Sequence, residues 1–333
     1  METIEDVVKY LEINQDKPFV SVVDKIEKLS GGLVNYVYRI KFVDKKSVIL
    51  KHYPPYCAAY KTISMSQKRY FVEKEALQFL STQPWLTNNP ESIVRTPNVI
   101  YADDDHYTLI MQDAGENTQT LFNLLLSNSS VDQHFLDLIP KELKVLIRHL
   151  TEDSELTFKK NKTFEKESVG GYLSLEKFQN QLGSMAKKID EKLKPFSDIS
   201  NGVSKSSNHE NSVFVYGDLW PSSILIDKEE NLIWIVDWEF ARYESKTSDL
   251  EQLLANLWVM KQSSKFNQDK IEKLIEKFQL EFLGNEKSDW RYECGDMAKY
   301  NFILWIGGLL NETHWGIDDN QAVALKALEE VNK

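Results

Sequence analysis

Two apolar runs, each followed closely by an aspartate, constrain this chain more than any other feature of its sequence. Residues 213–216 precede Asp218, and residues 232–236 precede Asp237. Apolar, β-branched runs favour strands and the charged residues 227–231 favour a turn, so the stretch predicts a strand, a loop and a hairpin. The two carboxylates, nineteen positions apart (237 − 218), are therefore expected close together at the ends of neighbouring strands. Such a pair suits an acid–base group beside a metal-binding group.

The same arrangement is typical of a kinase catalytic loop. In such a loop one Asp accepts or orients the proton of the substrate hydroxyl, a metal ligand follows five residues later, and another Asp on the next hairpin holds Mg²⁺. Here Asp218 takes the first position, Ser223 the second and Asp237 the third. This order predicts Asp218 as the catalytic residue and Asp237 as a metal ligand.

Residues 217–223 (Gly-Asp-Leu-Trp-Pro-Ser-Ser) and 236–239 (Val-Asp-Trp-Glu) carry a family resemblance. They resemble the aminoglycoside phosphotransferase and choline kinase superfamily, and look most similar to its methylthioribose kinase branch and fungal relatives. The resemblance covers about residues 26 to 260. It implies a two-lobed, protein-kinase-like α+β fold with a β-rich N-terminal lobe, a mainly helical C-terminal lobe and a cleft between them. It also implies ATP and Mg²⁺ as cofactors and a small hydroxylated substrate.

The N-terminal part of the chain contains the residues that such a kinase uses for phosphate. Gly31 and Gly32 predict a tight turn before a strand at 36–42, and backbone N–H groups of such a turn could face phosphate. Lys51 ends the next β-branched strand. In the resemblance Lys51 binds the α- and β-phosphates, whereas a strand-end lysine reaching solvent is the alternative. Glu73, in a helix predicted over 68–80, would hold Lys51 in position, with Glu75 as the fallback.

Two further strands, over 95–101 and 107–112, lead to a polar connector at residues 113–117. In the resemblance this connector is the hinge between the lobes, and adenine would bind backbone groups near Gln112, Asp113 and Ala114. After the connector the sequence becomes helical. Composition therefore predicts a boundary near residue 115, with residues 1–114 as the N-terminal lobe and residues 115–333 as the C-terminal lobe.

The remaining chain is predicted to be mostly helical. Helical spacing of apolar residues continues through residues 173–193, 250–258, 271–282, 300–310 and 320–331, with Gly284 expected to stop one helix. Residues 197–212, rich in Ser, Asn and Lys, predict a loop. Residues 247–249 (Thr-Ser-Asp) offer helix-capping chemistry, and Asp249 is interpreted as a brace for the catalytic loop rather than a catalyst.

Three positions depart from the usual motif of the superfamily. Tyr216 stands where the motif usually has a structural His, and Ser223 replaces the usual Asn. A hydroxyl can still bind Mg²⁺, and methylthioribose kinases are similar in having Ser here. Glu239 follows Asp237 by two residues and is either a second metal ligand or part of a structural salt bridge.

Composition excludes several other classes of protein. Forty Lys and Arg against 51 Asp and Glu give a net charge of −11, which argues against nucleic-acid or anionic-membrane partners. Two cysteines cannot build a disulfide framework. The N-terminal residues lack the apolar core of a signal peptide, and no apolar run approaches the ~18 residues of a membrane span. These features predict a cytoplasmic protein; its oligomeric state is not readable from the sequence.

Two functions follow from the sequence as hypotheses. The first is an ATP-dependent kinase that phosphorylates a hydroxyl of a small metabolite such as methylthioribose, another sugar or an amino-sugar. The second is a kinase-fold protein that binds nucleotide without phosphotransfer, which the substitutions Tyr216 and Ser223 suggest. No P-loop and no Gly-x-Ser-x-Gly elbow is present, and no Ala-Pro-Glu segment follows Asp237 as in protein kinases.

Overall fold

A computed structural model describes residues 1–29, 32, 34–62, 64–87, 89, 92–129, 133–165, 212–283 and 315–319, together with residues 322, 323 and 326. The chain forms two compact units. The described parts of the first unit lie in Met1–Gln119 and Leu225–Phe240, and those of the second lie in residues 120–165, 212–224 and 241–326. Strands and helices are mixed, so the predicted α+β class is confirmed. The lobe boundary near residue 115 stays a prediction.

Eight α-helices and eleven strands are assigned within the described residues, and their bounds in chain order are as follows. They are α1 (Ile4–Ile13), β1 (Val23–Lys28), β2 (Tyr36–Phe42), β3 (Val48–His52), α2 (Arg69–Leu80), α3 (Pro84–Thr87), β4 (Val94–Arg95), β5 (Val99–Asp103), β6 (Thr108–Gln112), β7 (Gln119–Thr120), α4 (Leu121–Leu124), α5 (Gln133–Arg148), α6 (Glu155–Phe158), β8 (Val213–Val215), β9 (Ile224–Asp227), β10 (Leu232–Ile235), β11 (Arg242–Glu244), α7 (Ser248–Lys261) and α8 (Gln268–Leu283). No helix among them is both long and apolar enough to cross a membrane.

The first unit is built on a five-stranded sheet with the order β1-β2-β3-β6-β5, whose neighbours are all antiparallel. In β2 buried and partly exposed residues alternate, because successive side chains of a strand point to opposite faces. β3 lies in the middle of the sheet and pairs Lys51 with Val37 on one side and with Leu109 on the other. The predicted strands at 36–42 and 47–53 are confirmed. The central position of β3 fixes where the Lys51 side chain begins.

Helix α2 of the same unit confirms the helix predicted over 68–80. It begins at Arg69, and it buries both its apolar residues and two charged ones, Arg69 and Glu73. A charged side chain is expensive to bury unless it is paired. The burial of Arg69 and Glu73 therefore indicates that each has a specific partner within the unit.

A second group of strands in the first unit carries the metal-binding hairpin of the prediction. β10 stands between β4 and β9, and it pairs with β4 in parallel through Ile233–Val94 and Trp234–Arg95. A single 3₁₀ turn, Trp238–Phe240, follows β10. The strand predicted over 95–101 was wrong as one element, because Pro97, which has no backbone N–H to donate, lies in a break between β4 and β5.

The second unit contains the catalytic loop of the prediction. β8 pairs with β11 antiparallel, from Val215–Arg242 to Val213–Glu244. Phe164, Phe214 and Tyr243 form edge-to-face ring contacts beside this ribbon. Helices α7 and α8 confirm the predicted apolar stripes at 250–258 and 271–282. The features predicted over 173–193 and 300–310 and at Gly284 lie outside the described residues, as do nearly all those predicted over 197–212 and 320–331.

Candidate active site

Lys51 lies at the centre of a buried ionic cluster in the first unit. Its side chain is 2% exposed, and Nζ donates hydrogen bonds to Glu73 Oε2 at 2.6 Å and to Asp237 Oδ1 at 2.7 Å. The Tyr53 hydroxyl donates to the same Glu73 oxygen at 2.7 Å. The predicted ion pair of Lys51 with Glu73 is therefore present, and Lys51 does not extend into solvent. The cluster joins β3, α2 and the segment after β10.

The electrostatics of this cluster keep the lysine charged. Burial by itself lowers the pKa of Lys51, but the carboxylates of Asp237 and Glu73 outweigh that effect and raise it. Burial raises the pKa of the Glu73 carboxyl, and the Lys51 ammonium opposes the rise. Burial also raises the pKa of Tyr53 well above its ordinary value, so its hydroxyl stays a donor. The cluster thus places one lysine between two carboxyl groups, those of Glu73 and Asp237.

Asp237 differs from the other members of the cluster in its exposure and its backbone. Its side chain is 42% exposed, and Oδ2 has no protein partner among the described residues. Its backbone is left-handed, with φ of 64°. Non-glycine residues are uncommon in this region, and Asp tolerates it better than most. Strained backbone of this kind is concentrated at functional sites.

The surroundings of Asp237 fit one magnesium ion that is only partly bound by protein. Within the described part of the chain, no group of three or more His, Cys, Asp or Glu side chains could hold a metal. Mg²⁺ commonly keeps several waters and binds through one or two carboxylates together with substrate phosphates. The free oxygen of Asp237 could supply one such ligand.

Glu239, the second metal-ligand candidate, lies in a different environment from Asp237. Oε1 accepts a hydrogen bond from Asn35 Nδ2 at 2.8 Å, and Oε2 lies 3.1 Å from Arg69 Nε. The side chain is 5% exposed. These contacts correspond to the salt-bridge alternative of the sequence analysis; a metal-ligand role for Glu239 stays a prediction.

The residues of the predicted hinge differ in whether their polar groups already have hydrogen-bond partners. The Asp113 carboxylate pairs with Arg39 at 2.6 and 2.9 Å and accepts hydrogen bonds from Ser47 and from the backbone N–H of Gly115. Burial alone would raise the Asp113 pKa, but these donors lower it. Among the described residues, by contrast, the backbone N–H and C=O of Ala114 have no hydrogen-bond partner. Ala114 thus offers the backbone groups that an adenine ring could use.

Two other predicted nucleotide contacts are less defined. The backbone N–H of Gln112 donates to Asn98 O, and its side-chain oxygen accepts from Asn98 Nδ2. Gly31 lies outside the described residues. Gly32 is exposed, and a Cβ added there would come no closer than 4.0 Å to a neighbour, the Asn35 carbonyl oxygen. The space beside Gly32 is therefore open to a ligand.

In the second unit, Asp249 binds the backbone of the predicted catalytic loop through hydrogen bonds, as predicted. Asp249 Oδ2 accepts a hydrogen bond from the backbone N–H of Tyr216 at 2.9 Å, and Oδ1 accepts one from Gly217 at 2.7 Å. Arg242 Nη1 donates to the Gly217 carbonyl at 2.6 Å. Gly217 has φ of 88°, a conformation that glycine adopts most readily. The backbone N–H and C=O of Gly217 are therefore both held by hydrogen bonds, which fixes the main chain just before Asp218.

Asp218 itself is held by a residue that sequence reasoning missed. Gln252 Nε2, on α7, donates to Asp218 Oδ1 at 2.7 Å. Gln252 follows Asp249 by three residues, so the two side chains share one face of the helix. That spacing was the available signal. Asp218 lies in the second unit and Asp237 in the first, and their proximity stays a prediction.

The side chain of Ser223 forms hydrogen bonds within its own loop. Its hydroxyl donates to Trp220 O at 2.9 Å and accepts from Trp220 N at 3.3 Å, and the residue is fully buried. These bonds give Ser223 a structural role in the loop. Its role as a metal ligand stays a prediction.

Comparisons with known proteins agree with this arrangement. A family model described as the ecdysteroid kinase-like family matches residues 127–287. A 4-hydroxytryptamine kinase from Psilocybe cyanescens is 26% identical over 71% of this chain and 68% of its own length. The 4-hydroxytryptamine kinase of Psilocybe cubensis is 25% identical over 74% of this chain and 70% of its own length.

Solved structures show the same fold at lower identity. A choline kinase from Cryptosporidium parvum has a TM-score of 0.58 at 14% identity, with 99% of this chain and 96% of that chain covered. An aminoglycoside 2′-phosphotransferase in complex with GDP has a TM-score of 0.53 at 13% identity, with coverages of 98% and 96%. The amicoumacin kinase hAmiN, in complex with AMP-PNP and Ca²⁺, has a TM-score of 0.58 at 14% identity, with coverages of 99% and 96%.

These findings confirm the kinase-like fold and the enzyme class. The chain is a small-molecule kinase, a phosphotransferase with an alcohol group as acceptor. Its fold is also the fold of the solved choline kinase and aminoglycoside phosphotransferase structures.

Proposed function

We propose that this chain transfers the γ-phosphate of ATP to a hydroxyl group of a small, amine-bearing molecule, with Mg²⁺ as the metal. The observation that carries the proposal is the buried Lys51 ammonium, held by Glu73 on one side and by the half-exposed Asp237 on the other. Phosphoryl transfer depends mostly on positioning and on neutralising charge, which such an ammonium and metal ligand supply.

The first unit would bind the nucleotide. Lys51 would bind the α- and β-phosphates, with Glu73 and Tyr53 holding its position. The free backbone groups of Ala114 would bind the adenine ring, and the open space beside Gly32 would leave room for phosphate. When bound, Mg²⁺ would neutralise charge on the phosphate oxygens, and Asp237 would provide its protein ligand.

The second unit would supply the base. Asp218 would orient the acceptor hydroxyl and accept its proton while the acceptor oxygen forms a bond to the γ-phosphorus. The bond from that phosphorus to the ADP oxygen breaks in the same transfer, and ADP leaves with the bonding electrons. Gln252 would keep one Asp218 oxygen in place, and the Asp249 brace would keep the loop in its conformation.

The proposed acceptor class rests on two observations. The two Psilocybe relatives are named for 4-hydroxytryptamine, an indole with a ring hydroxyl group and an aminoethyl side chain. The net charge of −11 is compatible with a cationic substrate. Both observations favour an amine-bearing alcohol or phenol over the neutral sugar methylthioribose, and an amino-sugar remains within the proposed class.

The test is an acceptor panel with purified full-length protein and MgATP. The panel contains 4-hydroxytryptamine, choline, ethanolamine, kanamycin and methylthioribose, and it is read by ADP formation and by the mass of the phosphorylated product. We expect turnover of at least one amine and a much lower kcat/KM for methylthioribose. Omission of Mg²⁺ should abolish turnover.

Two controls make the result decisive. Asp218→Asn should abolish product formation with every acceptor while MgATP still raises the melting temperature. Wild-type protein that binds MgATP and phosphorylates no member of a broad panel would contradict the kinase proposal and favour nucleotide binding without transfer. Efficient use of methylthioribose alone would overturn the amine assignment and leave the kinase assignment intact.

A further inference from the structure

Asn35, Arg69 and Glu239 form a buried polar cluster in the first unit. The side chains of Arg69 and Glu239 are 1% and 5% exposed, and Asn35 is buried beside them. Asn35 immediately precedes β2, three residues after Gly32. Arg69 begins α2, and Glu239 lies in the turn that follows Asp237.

Arg69 uses its donors in several directions at once. Nη1 donates to Ser66 O at 2.7 Å and Nη2 to Pro54 O at 2.7 Å. Nη2 and Nε also donate to Asn35 Oδ1, at 3.1 and 3.2 Å. A guanidinium suits such a role because its five N–H groups are fixed in one plane. The arginine thus ties the start of α2 to the segment before β2 and to the loop after β3.

Glu239 completes the cluster as its negative charge. The side-chain nitrogen of Asn35 donates a hydrogen bond to Glu239 Oε1, and its side-chain oxygen accepts hydrogen bonds from Arg69. Asn35 therefore bridges the two charged groups. Glu239 Oε2, 3.1 Å from Arg69 Nε, is shielded from solvent and makes no hydrogen bond of its own among the described residues. The positive charge of Arg69 therefore stabilises this oxygen, without an aligned N–H donor.

The contrast with Asp237 identifies the role of Glu239. Asp237 has an exposed, unpartnered oxygen beside Lys51, whereas both oxygens of Glu239 face protein groups and are closed off from solvent. A metal ligand needs an oxygen that the ion can reach. Glu239 instead lies two residues after the strained backbone of Asp237, where an anchor fixes the course of the chain.

We propose that Glu239 is a positioning residue rather than a metal ligand: through Arg69 and Asn35 it anchors the Asp237 segment to α2 and to the start of β2. The cluster thereby links three parts of the first unit, which carry Asp237, Glu73 and Gly32. Its catalytic consequence rests on the proposed function, whereas its existence as a coupled ion pair does not.

The structural test is a double-mutant cycle on full-length protein without metal or nucleotide. Removing one partner leaves a buried charge unpaired, so Glu239→Gln and Arg69→Met should each lower the melting temperature by roughly 5–15 °C. The double variant should lose clearly less than the sum of the two, because neither charge is then left alone. The exposed pair Arg148 and Glu152 is the matched control, and its cycle should show small, additive shifts.

A second double-mutant cycle measures kcat and thereby links the cluster to activity. It uses no Arg69 variant, so it can be carried out even if Arg69→Met does not fold. Asn35→Ala should lower kcat as Glu239→Gln does, and the double Asn35→Ala/Glu239→Gln variant should be no worse than Glu239→Gln alone. Additive melting shifts in the metal-free cycle would overturn the proposal. So would a Glu239→Gln protein that melts like wild type and only requires more Mg²⁺.

The two proposals fail in different ways. If wild-type protein phosphorylates no acceptor, the proposed function is lost, but the metal-free melting cycle still decides whether the ion pair is coupled. If the kinase is active and both cycles are additive, the positioning role alone is wrong.

Discussion

Gln252 Nε2 donates a hydrogen bond to Asp218 Oδ1 across 2.7 Å. This bond fixes the position of one oxygen of the proposed base. It also connects the proposed base to α7, the same helix that supplies Asp249 to the backbone of the loop. One helix therefore fixes both the main chain before Asp218 and the rotation of its carboxylate.

Removing the Gln252 donor should slow the reaction without weakening nucleotide binding. Hydrogen bonds to charged groups contribute about 1.5–3 kcal/mol, so Gln252→Leu should lower kcat by roughly 10- to 100-fold. The KM for ATP should stay close to the wild-type value. Steady-state kinetics with saturating acceptor measure both constants. Gln268→Leu, on the exposed start of α8, is the control and should match wild type; an unchanged kcat in Gln252→Leu would remove Gln252 from the mechanism.

Substitutions of the two aspartates of the motif should have distinguishable effects on kcat and on the Mg²⁺ requirement. Asp218→Asn keeps the shape of the side chain and removes the base, so kcat should fall by about 10²–10⁴-fold with little change in ATP binding. Asp237→Asn removes a charge at the proposed metal ligand, so activity should largely disappear and the Mg²⁺ requirement should rise. Titration calorimetry with MgATP and a magnesium titration of the rate separate the two. Wild-type kinetics in Asp237→Asn would refute its assignment to the metal.

Asp249 should matter for stability more than for chemistry. Asp249→Asn replaces one accepting oxygen with an NH₂ group that faces a backbone N–H of Tyr216 or Gly217. Losing one such charge-assisted hydrogen bond in a buried site costs about 1.5–3 kcal/mol, or roughly 3–12 °C in melting temperature for a unit of this size. Calorimetry gives the value. The exposed Asp269→Asn is the control, and equal melting temperatures for Asp249→Asn and wild type would show that the brace is dispensable.

His52 should make the stability of the chain depend on pH. Burial lowers the pKa of its imidazole to about 4, with the N-terminal charge adding to the effect. An unfolded His has a pKa of about 6.5. Because the folded pKa is the lower one, the stability that neutral His52 contributes is present above about pH 6.5 and is lost as the pH falls toward 4.

The measurement is urea unfolding at several pH values between 7.5 and 4. His52→Gln should lose less stability over this interval than wild type does, because the proton uptake linked to unfolding is gone. His134→Gln, at an exposed position of α5, should follow the wild-type curve. Parallel curves for His52→Gln and wild type would show that another group causes the pH dependence.

Several parts of the site could be predicted because they depend on local sequence. Lys51 could be assigned to a strand end from the β-branched run before it, and Glu73 to a helix from apolar spacing. Each of these signals is contained in a window of a few residues.

The partners across the fold could not be predicted from the same windows. Asn35 and Glu239 are separated by 204 positions, and Arg39 and Asp113 by 74. Nothing in the sequence near Glu239 distinguishes a carboxylate that faces Arg69 from one that faces a metal. The distinction depends on which strands and helices pack together, and therefore on long-range contacts.

The sequence by itself determined the order of elements, the kinase-type motif and the identities of the charged residues, because strand and helix periodicity and motif spacing are local properties. Only the tertiary structure decided which charges are buried and with whom they pair. Burial makes an unpaired charge costly, so Arg69, Glu239 and Asp113 acquired specific partners when the elements packed. Those partners, rather than the residue types, separate a solvent-exposed carboxylate such as that of Asp237 from an anchored carboxylate such as that of Glu239.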